Sequence, residues 1–192
     1  MVNIKTLKNS YYVMRHGQSL ANIQGIIVSD PENGLAGYGL TQAGKQQAVQ
    51  SLKNFPLDSQ TIIYSSDFLR TQQTALIAEE ILEPHHRIIF TKHLRERFFG
   101  DFELTSSDNY ETVWAQDCDD HTALKNNVEP VTDVLRRGLL CLMEIEDRFC
   151  GKNILWVSHG DTLQILLAFF RDWLPNRHRD VPHMGVAEIR KV

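Results

Sequence analysis

No run of this 192-residue chain is apolar for long enough to span a bilayer, so a membrane partner is not expected. The lysines of Met1 to Ser10 are not followed by the apolar core of a secretory signal, because Arg15 and His16 interrupt it at once. Cysteine is scarce. Cys118, Cys141 and Cys150 are an odd count without metal-ligand spacing, which argues against a disulfide framework and predicts free thiols in a reducing compartment. Cys141 and Cys150 fall in an apolar helical stretch, where buried, inert thiols are expected. Basic excess is absent too: 20 Lys and Arg face 24 Asp and Glu, a net charge of -4 that speaks against a nucleic-acid partner. A few arginines can still make one cleft positive. Internal repeats, low-complexity tracts and linkers are missing, which predicts one domain over residues 1–192, cytoplasmic by the simplest reading with an organelle left open.

What is present is an alternation of short β-rich runs and longer helical ones. Tyr11 to Arg15, Thr61 to Ser65, Arg87 to Thr91 and Asn153 to Ser158 are nearly continuous apolar runs, as strands covered on both faces should be. Helical periodicity covers Thr41 to Lys53, Asp67 to Leu82, Val131 to Cys150 and Thr162 to Asp172, with Thr41 and Ser66 as N-caps of the first two. In the third, Val134, Leu135, Gly138, Leu139, Leu142, Ile145 and Phe149 recur on one face. The pattern predicts βαβ units and a mostly parallel α/β sheet, with Gly185 to Ile189 as a late edge strand. Two segments break it: Gln18 to Leu40, rich in glycine around Asp30-Pro31, and Phe98 to Pro130 with one short helix from Ser107 to Gln116. Loops of this length are usually functional.

Two of the strands end in histidine followed by glycine, His16-Gly17 and His159-Gly160, and Arg15 precedes the first. Strand C-termini in an open α/β sheet face the ligand crevice. Arg70 lies in the first turn of the helix after the second strand. Two histidines and two arginines on one rim suit a phosphate site, because planar guanidinium forks match phosphoryl oxygens. Gly17 and Gly160 allow close backbone approach, the helix start after Gly160 favours an anion, and Asn22 offers one more donor. No metal motif or cofactor signature accompanies them. One histidine, neutral at the attacking nitrogen, would be the nucleophile, and the residues alone leave open which.

The blocks Arg15-His16-Gly17-Gln18-Ser19-x-x-Asn22, Ser66-x-x-x-Arg70-Thr71, Leu94-Arg95-Glu96-Arg97-Phe98-Phe99-Gly100 and Ser158-His159-Gly160-Asp161 resemble, in order, those of the phosphoglycerate-mutase-like histidine phosphatase superfamily, branch 1. The likeness runs from about Tyr11 to Leu167. It implies a three-layer αβα sandwich whose mostly parallel sheet carries an antiparallel edge strand. It also implies that His16 is phosphorylated in the cycle, that Arg15, Arg70 and His159 hold the phosphoryl group with support from Asn22, and that Glu96 is the proton donor. A positioned acid is needed on chemical grounds as well, to expel an alkoxide. Asp161 is the alternative acid, and Glu103 a weaker one.

The family holds mutases and phosphatases. This chain is shorter than typical mutases, carries Asp161 where they usually have asparagine, and lacks their arginine-rich clamp after Gly100. From Asp101 to Asp120 it has seven acidic residues and no Lys or Arg, which near the mouth would disfavour compact polyanions. The expected activity is therefore hydrolysis of a small monophosphorylated or partly cationic substrate, with a phosphoprotein open as an alternative and the oligomeric state undetermined. A mutase, or a catalytically silent phosphate binder, is the other reading. His85, His86, His93, His121, His178 and His183 show no ligand spacing and read as ordinary. Trp114, Phe98, Phe99 and Phe102 are expected to pack their loop rather than line the mouth, and Trp173, Val181 and Met184 to cover either a partner or the domain's own body.

Overall fold

Central strands here are apolar on both faces, and each face has found its own layer of helices. The computed structural model describes residues 4–122 and 125–192, so the first three residues of the N-terminal segment and residues 123–124 of the second long loop lie outside it. The strands are β1 (Ser10–Arg15), β2 (Ile62–Ser65), β3 (Ile89–Phe90), β4 (Asn153–Ser158) and β5 (Ile189–Lys191), in the spatial order β3-β2-β4-β1-β5. All neighbouring pairs are parallel except β1 with β5. The edge strand therefore exists and is antiparallel, but it starts at Ile189, where the predicted run from Gly185 ends.

The helices are α1 (Leu20–Gln24), α2 (Pro31–Gly34), α3 (Gln42–Lys53), α4 (Leu69–Leu82), α5 (Asn109–Asp119), α6 (Val131–Arg148) and α7 (Gly160–Phe170). Alternation along the strands sorts the core. Tyr11, Val13, Ile62, Tyr64, Ile154 and Trp156 pack against Cys141, Leu142 and Ile145 of α6 and Leu163 and Leu166 of α7. Tyr12, Met14, Ile63, Leu155 and Val157 face Ala48 and Leu52 of α3 and Ala75 and Ala78 of α4. A side chain on Gly138 would overlap Leu166, so this glycine sets how closely α6 meets α7. Val181 and Met184 are buried in the first of these clusters and Trp173 packs against it, so the tail covers the body of the fold.

Local signals account for most helix ends. Thr41 caps α3 by accepting from Gly44 N, and Ser19 with Asn22 forms a capping box on α1. The predicted cap of α4 is wrong. Phe68 occupies that position with no side-chain bond, and Ser66 lies outside the helix with another task. The first long loop is not structureless, since it contains α1 and α2. Cys141 is buried as expected, whereas Cys150 lies just past the end of α6 and is exposed.

The sheet order brings the two His-Gly turns together. β1 and β4 are adjacent in the register Arg15 to Ser158, and His16 N donates to Ser158 O at 3.0 Å. Both histidines thus leave the same sheet edge side by side.

Candidate active site

His16 and His159 are 3 % and 0 % exposed, with ring centroids 5.3 Å apart. Between them Arg70, at the start of α4, directs its Nε–H to His16 Nε2 and His159 Nδ1, both at 3.2 Å. A guanidinium donates only, so both of those ring nitrogens are acceptors. His16 Nδ1 then carries the proton and donates to Gly17 O at 2.7 Å, while His159 Nε2 donates to Ser66 Oγ at 2.9 Å. Both imidazoles are neutral and each has a fixed tautomer. Burial, then Arg70 and Arg15, hold His16 well below the usual imidazole range; burial, Arg70 and His16 do the same for His159.

The arginines keep donors in reserve. Arg70 Nη2 is bound to Val28 O at 2.8 Å, and its Nη1 is buried without a partner among the described residues. Arg15 spends Nη1 on His183 Nε2 and Met184 O, at 2.8 and 2.7 Å, and its buried Nε has no partner among the described residues. Buried, unpaired guanidinium donors are costly unless an anion completes them. Gly160 opens α7 beside Arg15, where a Cβ would stand 3.4 Å from the guanidinium carbon. Gly17 is needed sterically, because a Cβ there would overlap the Gly44 carbonyl of α3. Asn22 uses Oδ1 to accept from Ser19 N and Oγ, both at 3.0 Å, which leaves its amide donor for the cavity it lines.

Glu96 is 8 % exposed, and Oε1 takes all its bonds: Arg97 N at 3.0 Å, and Thr162 N and Oγ1 at 3.2 Å each. Burial raises its proton affinity, the Asp161 charge adds to that, and Arg70 partly opposes them. Among the described residues Arg137 holds this segment, donating to His93 O and Glu96 O at 2.7 and 3.2 Å while paired with Glu129. Asp161 is a poor acid. Although burial acts to raise it, Arg97 and the neighbouring cations outweigh burial and keep it below the carboxylate range. Its oxygens accept from Arg97 Nη1 at 3.2 Å and Trp114 Nε1 at 2.9 Å. Glu103 is engaged elsewhere, accepting from Ser29 N and Oγ at 2.7 and 2.6 Å.

A cavity of about 350 Å³ opens onto Arg15, Asn22, Glu96 and Gly160, with His16, Arg70 and His159 buried and not part of its wall. Its opposite character comes from Tyr110, Trp114 and Ile26, and from the carboxylates Asp108 and Glu111. Trp114 therefore lines the mouth, contrary to the packing expectation, stacked on Tyr110 at 5.3 Å and with the Arg179 guanidinium over its ring. Phe99 does pack, at 0 % exposure. Of the acidic stretch, Asp108 and Glu111 face the cavity, while Asp117 pairs with Arg97 and Asp101 accepts from Asn127. The side chain of Asp119 lies outside the described residues.

Sequence reasoning missed Arg97, Arg137, Ser66 and His183. An arginine on the core side of an amphipathic helix hints at Arg137. For the others no local signal exists, because their partners are distant in the chain.

The family model described as histidine phosphatase superfamily (branch 1) matches residues 11–192. The adenosylcobalamin/alpha-ribazole phosphatase of Escherichia coli is 26% identical over 165 residues, 82% of this chain and 76% of its own length. A 2,3-bisphosphoglycerate-dependent phosphoglycerate mutase of Bartonella bacilliformis is 27% identical over 173 residues, 84% of this chain and 81% of its own. The human 6-phosphofructo-2-kinase/fructose-2,6-bisphosphatase 4 is 30% identical over 181 residues, 90% of this chain, which spans only 35% of that protein. In fold, a mycobacterial glucosyl-3-phosphoglycerate phosphatase solved with VO3 superposes with a TM-score of 0.77 at 22% identity, over 95% of this chain and 91% of the other.

Proposed function

Because the chain belongs to the histidine phosphatase superfamily (branch 1), we propose that it hydrolyses a phosphomonoester through a phosphohistidine on His16, without a metal. The observation that carries this reading is the locked tautomer of His16. With Nδ1–H held by Gly17 O, the lone pair is on Nε2, where it accepts from Arg70 Nε–H at 3.2 Å until an arriving phosphate draws the guanidinium donors to its own oxygens and frees it for attack. In the first half-reaction Nε2 forms a bond to phosphorus as the P–O bond to the leaving group breaks, and Glu96 gives that oxygen its proton. The Gly17 carbonyl supports the positive imidazole ring that results. In the second, Glu96 takes a proton from water, the water oxygen bonds to phosphorus, and the N–P bond breaks. Charge on the equatorial oxygens is met by Arg15 Nε and Arg70 Nη1. The arriving dianion also raises the affinity of His159 for a proton, which turns Nδ1 into a donor.

The cavity size suits a small organic monophosphate. Asp108 and Glu111 stand where a second phosphoryl group would be repelled and where a hydroxyl or cationic group would be accommodated. A mutase needs to hold phosphate at a second position, and these two carboxylates speak against one here.

The test is hydrolysis of a generic aryl phosphate in excess chelator, with His16→Ala beside the wild type. Turnover that persists in chelator and vanishes in the variant supports the reading. A folded wild type that neither turns over nor accepts phosphate on His16 would leave a silent binder as the better account.

A further inference from the structure

His183 stands on the cavity wall with Nε2 2.8 Å from Arg15 Nη1. Since the guanidinium can only donate, His183 accepts there and is neutral, with its proton on Nδ1. The other Nη1 proton goes to Met184 O at 2.7 Å, so two consecutive residues fix one corner of the Arg15 fork. This segment is anchored independently of Arg15. Val181 and Met184 are 1 % and 0 % exposed, Gln164 Nε2 donates to Val181 O at 2.9 Å, and Arg190 donates to Pro182 O and His183 O at 2.7 Å each. Arg15 therefore comes to a fixed acceptor. What it has left is the Nε–Nη2 edge, with Nε buried and unpartnered.

We propose that His183 is a positioning residue for phosphate capture, accepting from Arg15 Nη1 so that the Nε–Nη2 edge of the guanidinium is presented to the phosphoryl oxygens. This role rests on the phosphatase reading of the site. A long arginine side chain that is already oriented loses less rotamer freedom on binding, and a planar fork gives two bonds to phosphate only in one orientation. The charged groups facing His183 are Arg15 on β1, Arg179 in the turn before it, and Arg190 and Glu188 on the C-terminal segment. Burial and the three arginines outweigh Glu188 and keep the imidazole below its usual range, hence neutral at pH 7. As the pH falls and His183 is protonated, the acceptor disappears and a cation is placed beside Arg15.

The experiment is calorimetric binding of inorganic phosphate to wild type, His183→Gln and His183→Phe between about pH 5 and 8. Glutamine presents an oxygen near the position of Nε2, whereas phenylalanine keeps the ring and removes the acceptor. The expected result near pH 7.5 is roughly tenfold weaker binding by His183→Phe, the fold-change of one charge-assisted hydrogen bond, and near-wild-type binding by His183→Gln. Titration of the phosphate itself cancels in the ratio of wild type to His183→Gln. That ratio is expected to show wild type losing affinity relative to the glutamine variant as the pH falls. Wild type gaining affinity instead would overturn the proposal in favour of an imidazolium that binds phosphate directly. Unchanged binding by a folded His183→Phe would overturn it also, and if that variant melts early the wild-type to glutamine ratio decides alone. No phosphate binding by the wild type would remove the phosphate site itself, and this role with it.

Discussion

Arg97 Nη1 donates to Asp161 Oδ2 at 3.2 Å inside the protein, where the two side chains are 2 % and 3 % exposed. Asp161 is the residue after the second His-Gly turn, and this bond makes it a fixed negative charge rather than a proton donor. Its field reaches Glu96 and helps to keep that carboxyl protonated. Asp161→Asn retains the shape and the bond from Trp114, while Asp117 still neutralises Arg97 through bonds at 2.7 and 2.8 Å. Removing the charge lowers the proton affinity of Glu96. The alkaline limb of kcat/KM on an alkyl phosphate is then expected to move to lower pH, as a pH–rate profile of the two proteins would show. An unmoved limb would mean that Glu96 does not set it.

Glu96→Gln removes the transferable proton and keeps the side chain's size. An alkyl phosphate, whose leaving alkoxide needs that proton, is expected to lose about 10²–10⁴-fold in rate. An aryl phosphate should lose far less, because its leaving group is stable as an anion. In the wild type, activity on alkyl phosphates falls as the pH rises through the elevated Glu96 value, since the acid form is then depleted. Equal losses on both substrate types would assign the acid role to another group.

Arg97→Met tests the buried charge cluster. Methionine fills space but leaves Asp117 and Asp161, both about 4 % exposed, without their principal cation. Breaking one side of a buried pair costs about 3–5 kcal/mol, and urea denaturation near neutral pH should register that loss. The deficit is expected to shrink as the pH falls and Asp161, which Arg97 helps to hold below the usual carboxylate range in the wild type, takes up its proton. A variant as stable as the wild type would show that the cluster contributes no net stability.

Gly17→Ala would force the turn after β1 away from α3, because the new methyl would overlap the Gly44 carbonyl. Backbone atoms cannot yield as a flexible side-chain tip would. The expected cost is about 1–3 kcal/mol of stability, with a drop in activity from displacement of the adjoining His16. Thermal melting and aryl phosphate turnover, measured together, check both parts.

The sequence by itself determined the four parallel strands, four long helices and the two His-Gly turns. These depend on local periodicity and on the strand-end placement that any parallel α/β sheet imposes. It also put Arg15, His16, Arg70, His159 and Glu96 in one short list, and through the family resemblance it set Glu96 above Asp161 as the acid. The physical case for that order belongs to tertiary structure. A carboxyl's proton affinity depends on how much water it has lost and which charges face it, and the cation facing Asp161 comes from a loop 64 residues away. The same holds for Ser66, which resembles a helix cap in sequence but orients His159, and for His183, 168 residues from Arg15 in the chain and 2.8 Å from it in space. No residue within a helical or strand-like window carries a record of such partners, because their contact exists only once β1, β4 and the C-terminal segment have packed together.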